Sequence, residues 1–196
     1  MPPLRLLLIV LPFVVEIAAL AHPGDPSKLP HKHGKPIYDQ EVLPMVPGTI
    51  EELYDSSAEV LEVTVVSSKV AGVGQPPRVR TFYTAIVNRA IKSDLKEGQT
   101  VVFTQAAGEL ELADKIIRAA DPQTLALNDR YIVFLRHNDS FGGRMLSGER
   151  DGAFKVRGGH IEPQGSSRLA VEHQNLSERR FNDEIERVAR RAKQAD

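Results

Sequence analysis

The stretch AEVLEVTVVSSKV, residues 58–70, alternates Val60, Glu62 and Thr64 with Leu61, Val63 and Val65. A period of two in a segment rich in β-branched side chains predicts a strand with one buried face, because successive side chains leave a strand on opposite sides. Gly72 to Pro77 forms a flexible connection. RVRTFYTAIVNRAI, residues 78–91, then repeats the β signature over a length that predicts a bent or coiled strand. The two stretches read as one long hairpin, and the fold class is mostly β.

Further β signals follow downstream. Asp94 to Gly98 reads as a turn and QTVVFTQ, 99–105, as a strand. Glu109 to Ala120 has helix propensity but poor ends between Gly108 and Pro122; irregular chain with a strand at 115–118 is expected. RYIVFLRH, 130–137, is an apolar run of strand length, and three short pieces at 144–149, 153–156 and 160–162 close the β region. Their spacing suits a small antiparallel barrel or sandwich. The expected core contains Leu61, Val63, Val65, Ile86, Val101, Phe103, Ile132 and Phe134.

Two helices flank this region. Thr49-Ile50-Glu51-Glu52 fits a capping box that starts a short helix running to about Ser56. LSERRFNDEIERVARRAKQ places Phe181, Ile185, Val188 and Ala189 on one narrow stripe, with Ser177 as a plausible N-cap. That stripe suffices to dock a helix on a sheet but not to stabilise it alone.

The N-terminus reads as a targeting segment. Arg5 precedes the apolar run Leu6 to Val15, which is short for a bilayer span, and Ala19-Leu20-Ala21 offers a small-x-small cleavage pattern. Cleavage after Ala21 leaves a secreted or periplasmic protein beginning at His22; the alternative is an uncleaved anchor. His22 to Gly48 holds six prolines and three glycines and reads as a mobile lead-in. The expected organisation is a signal peptide over 1–21, a Pro/His-rich lead-in over 22–48, a barrel over 49–163, a linker over 164–176 and a docking helix over 177–194.

Composition narrows the function. The 196-residue chain has no cysteine, so it folds without disulfides, and the roughly 150 residues left after the N-terminal segments make one ordinary domain. Its formal net charge of −1 argues against nucleic acid or an anionic membrane as partner. Phe82, Tyr83, Phe103, Tyr131 and Phe134 are available for base stacking, but most fall in apolar runs that core packing explains. No later run approaches membrane-spanning length.

The chemistry-bearing candidates are few. A free amine and imidazole at His22, with His31 or His33, meet the donor requirement of a copper or zinc site. The surrounding Pro/Gly-rich chain supplies no second shell to orient the imidazoles. There is no Gly-x-Ser-x-Gly elbow, His-Glu-x-x-His pair or P-loop. His137, Asp139 and Ser140 are sequence neighbours that read as a solvated strand end, and His160 and His173 stand alone and read as surface residues.

The segments LYDSSAEVLEVTVVSS, TFYTAIVNRAIKSDLKEGQTVVF, LNDRYIVFLR, GAFKV and LSERRFNDEIERV, in that order, resemble a group of uncharacterised secreted bacterial β-domains over residues 50–190. More distantly, the strand order is similar to the netrin-like domain of tissue inhibitors of metalloproteinases, a barrel of the oligonucleotide/oligosaccharide-binding (OB) type. The inhibitors' N-terminal cysteine has no counterpart here, so that resemblance implies the fold and not the inhibitory chemistry. The expectation is a small OB-like barrel with a short N-terminal helix and a C-terminal amphipathic helix. As an exported binding module rather than an enzyme, it would engage an extracytoplasmic protein or an envelope polymer. The alternative is a copper or zinc protein using His22, His31 and His33.

Overall fold

The computed structural model describes residues 37–38, 47–113, 115–138 and 143–195. The expected signal peptide and the three histidines of the lead-in lie outside the described residues. The chain is mostly β, with one short helix before the strands of the main sheet in sequence and two helices after them. In order the elements are β1 (Ile37–Tyr38), α1 (Ile50–Asp55), β2 (Glu59–Val73), β3 (Arg78–Lys92), β4 (Thr100–Gln105), β5 (Glu109–Glu111) and β6 (Ile116–Arg118). There follow β7 (Arg130–Asn138), β8 (Gly143–Leu146), a 3-10 turn (Glu149–Gly152), β9 (Ala153–Arg157), β10 (His160–Pro163), α2 (Arg168–His173) and α3 (Glu178–Ala195).

The expected hairpin is the spine of the molecule: β2 and β3 pair antiparallel from Val60↔Lys92 to Val73↔Arg78, with register shifts that bend them. The main sheet runs β10-β9-β7-β2-β3-β4-β8, and β8 pairs again with β7. β4 meets β8 in parallel at Phe103↔Arg144 and Thr104↔Met145, so hydrogen-bonded neighbours form the circuit β7–β2–β3–β4–β8–β7.

Two apolar cores lie on opposite faces of this sheet. One gathers Leu61, Val63 and Val65 of β2, Tyr83, Ala85 and Val87 of β3, Val101 and Phe103 of β4, and Tyr131, Val133 and Leu135 of β7. The other places Val60, Ile132, Phe134, Phe154 and Ile161 against Ile50 and Leu53 of α1, Leu169 of α2, and Phe181, Ile185 and Val188 of α3. Each fully buried side chain of this kind contributes on the order of 1.5–3 kcal/mol of transfer free energy. Ile86, expected in the core, is half-buried: inward positions on β3 are Tyr83, Ala85 and Val87, so Ile86 faces outward. A third small cluster, Val79, Ile117 and Ala119, sits under the hairpin tip. There β5 and β6 pair antiparallel and Ile37–Tyr38, inside the segment read as lead-in, adds to β6 in parallel.

Helix ends follow their sequence signals. Thr49 Oγ1 accepts from Glu52 N at 3.1 Å, and Glu52 Oε2 accepts from Gly48 N at 2.7 Å, one residue earlier than a strict capping box requires. Ser177 Oγ accepts from Arg180 N at 3.4 Å and starts α3. The segment 164–176 is not a bare linker: it contains α2, capped by Ser167, with Leu169, Ala170 and His173 buried. Six residues are too short to show helical periodicity in a sequence, and tertiary anchors hold them. One anchor is Asp151, whose Oδ1 accepts from Ser167 N at 3.1 Å. The turn presenting Asp151 needs glycine at 152, where a Cβ would lie 2.2 Å from the Ser147 carbonyl oxygen.

Charged groups tie α3 to the sheet. Glu62, buried, lies 3.3 Å from Arg130 and 3.5 Å from Arg89. Arg130 continues to Glu178 at 2.8 Å and Arg89 to Asn182 at 2.6 Å, both on α3.

Phe181 has no exposed surface, and its ring centroid lies 4.7 Å from that of Phe154 and 5.5 Å from that of His173. Phe181→Ala should therefore cost about 3–4 kcal/mol in urea unfolding. A loss below about 1 kcal/mol would mean that α3 adds little to the fold.

Candidate functional site

The helices pack on the side of the sheet formed by β7, β9, β10 and the start of β2, and among the described residues nothing packs on the outward side of the middle of β2–β3–β4. Strand alternation fixes what this face displays. On β3 the outward residues are Phe82, Thr84 and Ile86, all half-buried. Register places Phe82 between Lys69 and Thr104, Thr84 between Ser67 and Val102, and Ile86 between Thr64 and Thr100. The shift between Val65 and Ser67 leaves Val66 as an extra residue, 42 % exposed; Val102 is 49 % exposed. Hydroxyls and aliphatic groups dominate, and Lys69 is the one charge in these rows. Asn88 Nδ2 donates to Thr64 Oγ1 at 3.0 Å, fixing one border of the face.

Polar groups elsewhere are engaged internally. Arg80 lies 3.3 Å from Glu149, whose other oxygen accepts from Ala106 N at 2.8 Å, joining β3, the chain after β4 and the turn after β8. Breaking one partner of so buried a pair leaves an uncompensated charge, so its role is architectural. Tyr83 Oη donates to Gln105 Oε1 at 2.9 Å and accepts from Leu125 N at 3.0 Å. Tyr131 Oη accepts from Ala126 N at 2.9 Å. These two hydroxyls hold the 125–126 strap against the core.

At the rim of the sheet Arg144 forms a two-point ion pair with Glu59, and Ser93 Oγ donates to Glu59 at 3.1 Å. Burial alone pushes the Glu59 carboxyl up, but the hydrogen bonds and charge of Arg144, with the Ser93 hydroxyl, hold it below the usual carboxylate range. Lys92 Nζ donates to the carbonyls of Tyr54 at 2.8 Å and Ser57 at 2.6 Å, and lies over the Tyr54 ring. Burial lowers its pKa.

The sequence-predicted site residues are not gathered. His22, His31 and His33 are outside the described residues, as are Asp139 and Ser140 beside the exposed His137. Among the described residues no three His, Cys, Asp or Glu side chains are grouped as a metal ion would need. His173, expected at the surface, is buried, with Nδ1 2.8 Å from Leu169 O and Nε2 3.2 Å from Glu184. It joins α2 to α3. Tyr83, Phe103, Tyr131 and Phe134 are buried in the cores, leaving Phe82 as the one partly accessible aromatic of the five. The face around Thr84 left no clear signal in the sequence, because the outward positions of β3 and β4 carry Thr, Ile and Val and so resemble the inward ones.

No helix among the described residues is long and apolar enough to cross a membrane.

Burial pushes the Tyr83 hydroxyl up to about 12 from 10.0, the Leu125 hydrogen bond offsetting only part of the effect. The fold thus favours the neutral phenol. Tyr83 contributes its full stability below the unfolded pKa, and that contribution is lost as pH rises from about 10 to about 12. Burial also raises the Tyr54 and Tyr131 hydroxyls, so alkaline titration by tyrosinate absorbance should show several late-ionising groups, with the step near 12 lost in Tyr83→Phe; unfolding that precedes any late ionisation would contradict this.

No protein-family model matches the chain, and no curated protein matches it closely enough to count as a relative.

Proposed function

We propose that this chain is an exported, non-catalytic binding module on an OB-type barrel, and that a protein partner docks on the uncovered face of β2–β3–β4. The observation that carries the proposal is that face: a nearly uncharged array centred on Thr84, with Val66 and Val102 exposed beside it. Depletion of charge at the centre of a patch is the compositional mark of protein interfaces, whereas a nucleic-acid surface needs cations. The circuit β7–β2–β3–β4–β8–β7, with its parallel β4–β8 contact, supports the barrel reading and the netrin-like resemblance. The apolar run and Ala-Leu-Ala pattern of residues 1–21 support export. The internal engagement of Arg80, Glu149, Tyr83 and His173 supports binding over catalysis, since a catalytic group needs a free functional atom in a pocket.

Val66→Asp with Val102→Asp should leave the melting temperature nearly unchanged, because both side chains are exposed, and should weaken partner capture from an envelope fraction by about tenfold or more. Equal capture by both proteins would remove the face from consideration. Retention on immobilised envelope polysaccharide, lost in the same variant, would replace the protein partner with a polymer.

A further inference from the structure

A second surface lies at the rim, away from the uncharged face. One groove runs between the end of β3 and the C-terminal half of α3, lined by Arg89, Ala90, Ile91, Ala189, Arg190 and Lys193, with Glu186. A larger one of about 880 Å³ continues from Ile91 and Lys193 past Lys92 and Leu95 to Arg144. Sharing Ile91 and Lys193, the two form one trough. Its lining carries five lysine or arginine cations, Arg89, Lys92, Arg144, Arg190 and Lys193, against the three carboxylates Glu59, Asp94 and Glu186.

The carboxylates do not neutralise the trough evenly. Glu59 is held by Arg144, and Glu186 is shared between Arg89 at 3.7 Å and Arg190 at 3.9 Å. Lys193 is exposed and has no carboxylate within ion-pair distance among the described residues. Lys92, partly desolvated, donates to two backbone carbonyls and feels the Asp55 carboxylate, but forms no direct ion pair among the described residues. Between these cations lies a partly buried apolar floor of Ala90, Ile91, Leu95 and Ala189.

We propose that this trough binds an acidic peptide segment of a partner protein, with apolar side chains on the Ile91–Leu95 floor and carboxylates toward Lys92, Arg190 and Lys193. The apolar floor decides between a peptide and a polyanion: a polysaccharide or nucleic-acid backbone would meet the cations but leave Ile91 and Leu95 unused. Charge complementarity at the rim steers encounter and orients the segment, while the floor supplies the desolvated contacts.

The test uses the full chain and a fluorescein-labelled peptide of repeated Glu-Leu-Asp-Phe, read by fluorescence anisotropy. Saturable binding is expected, weakened severalfold between ~50 mM and ~500 mM salt. It should fall about tenfold in Arg190→Glu with Lys193→Glu, whose exposed positions leave the circular dichroism unchanged. Methyl shifts in the nuclear magnetic resonance spectrum should fall on Ile91 and Leu95 and spare Val102, separating this site from the β2–β3–β4 face. Equal binding of the charge-reversed protein, no saturable binding, or equal binding of a peptide with lysine at the acidic positions would each overturn the proposal. So would polyglutamate or heparin binding as tightly as the peptide, which would assign the trough to a polyanion.

Discussion

Everything in this fold is arranged around a sheet whose central strands are buried on both faces. Tyr131 to Leu135 of β7 are five consecutive buried residues: Tyr131, Val133 and Leu135 enter one core, Ile132 and Phe134 the other. β2 divides in the same way, with Leu61 and Val63 on one side and Val60 on the other. A strand without a solvent face must have helices on its outer side, and α1, α2 and α3 fill that role with Leu53, Leu169 and Phe181. The helices meet β3 only at its C-terminal end, through Arg89, Ile91 and Lys92, so among the described residues the outward side of its middle and of β4 is left as surface.

This division explains which parts of the fold were legible. The alternation of 58–65, the continuous run of 130–137 and the stripe of α3 are direct imprints of burial on one face, two faces and one helical side, and each element lies where its pattern predicts it. β3 is harder. TFYTAIVN is apolar on both sides of the strand, so the pattern leaves the inward set open. The Tyr83 hydroxyl bonded to Gln105 and Leu125, together with the small Ala85, turns Ile86 outward. Neither partner is near in sequence. α2 and the β1–β6 pairing were hidden for the same reason: elements of six residues and two residues are selected by contacts such as Asp151 with Ser167, not by local propensity.

The candidate surfaces were less legible than the fold, because composition reports charge and not its placement. With 25 lysine and arginine residues against 26 acidic ones, the chain reads as neutral. Several carboxylates are consumed inside the structure. Glu149 faces Arg80 in the interior, Glu62 lies between Arg89 and Arg130, and Glu59 is held by Arg144. Each is matched by at least one arginine, so these pairs leave the total near neutral and the placement of the remaining charges decides the surface.

With those ion pairs set aside, neutrality becomes a difference between places. On the outward side of β2–β3–β4 the strand periodicity puts threonine, valine and isoleucine where a freely solvated sheet would carry alternating charge. Along the trough beside α3, Lys193 is exposed with no ion pair among the described residues, and the Lys92 ammonium faces backbone carbonyls with Asp55 acting on it from outside ion-pair distance. In the proposed function the two surfaces would select by different physics: the first by shape and desolvation, the second by charge that salt screens. The face of β2–β3–β4 would hold the proposed partner while the trough discriminates among its acidic segments. The ion-pair network through Glu62 fixes the N-terminal turn of α3 to the sheet and with it the position of the trough's helical wall.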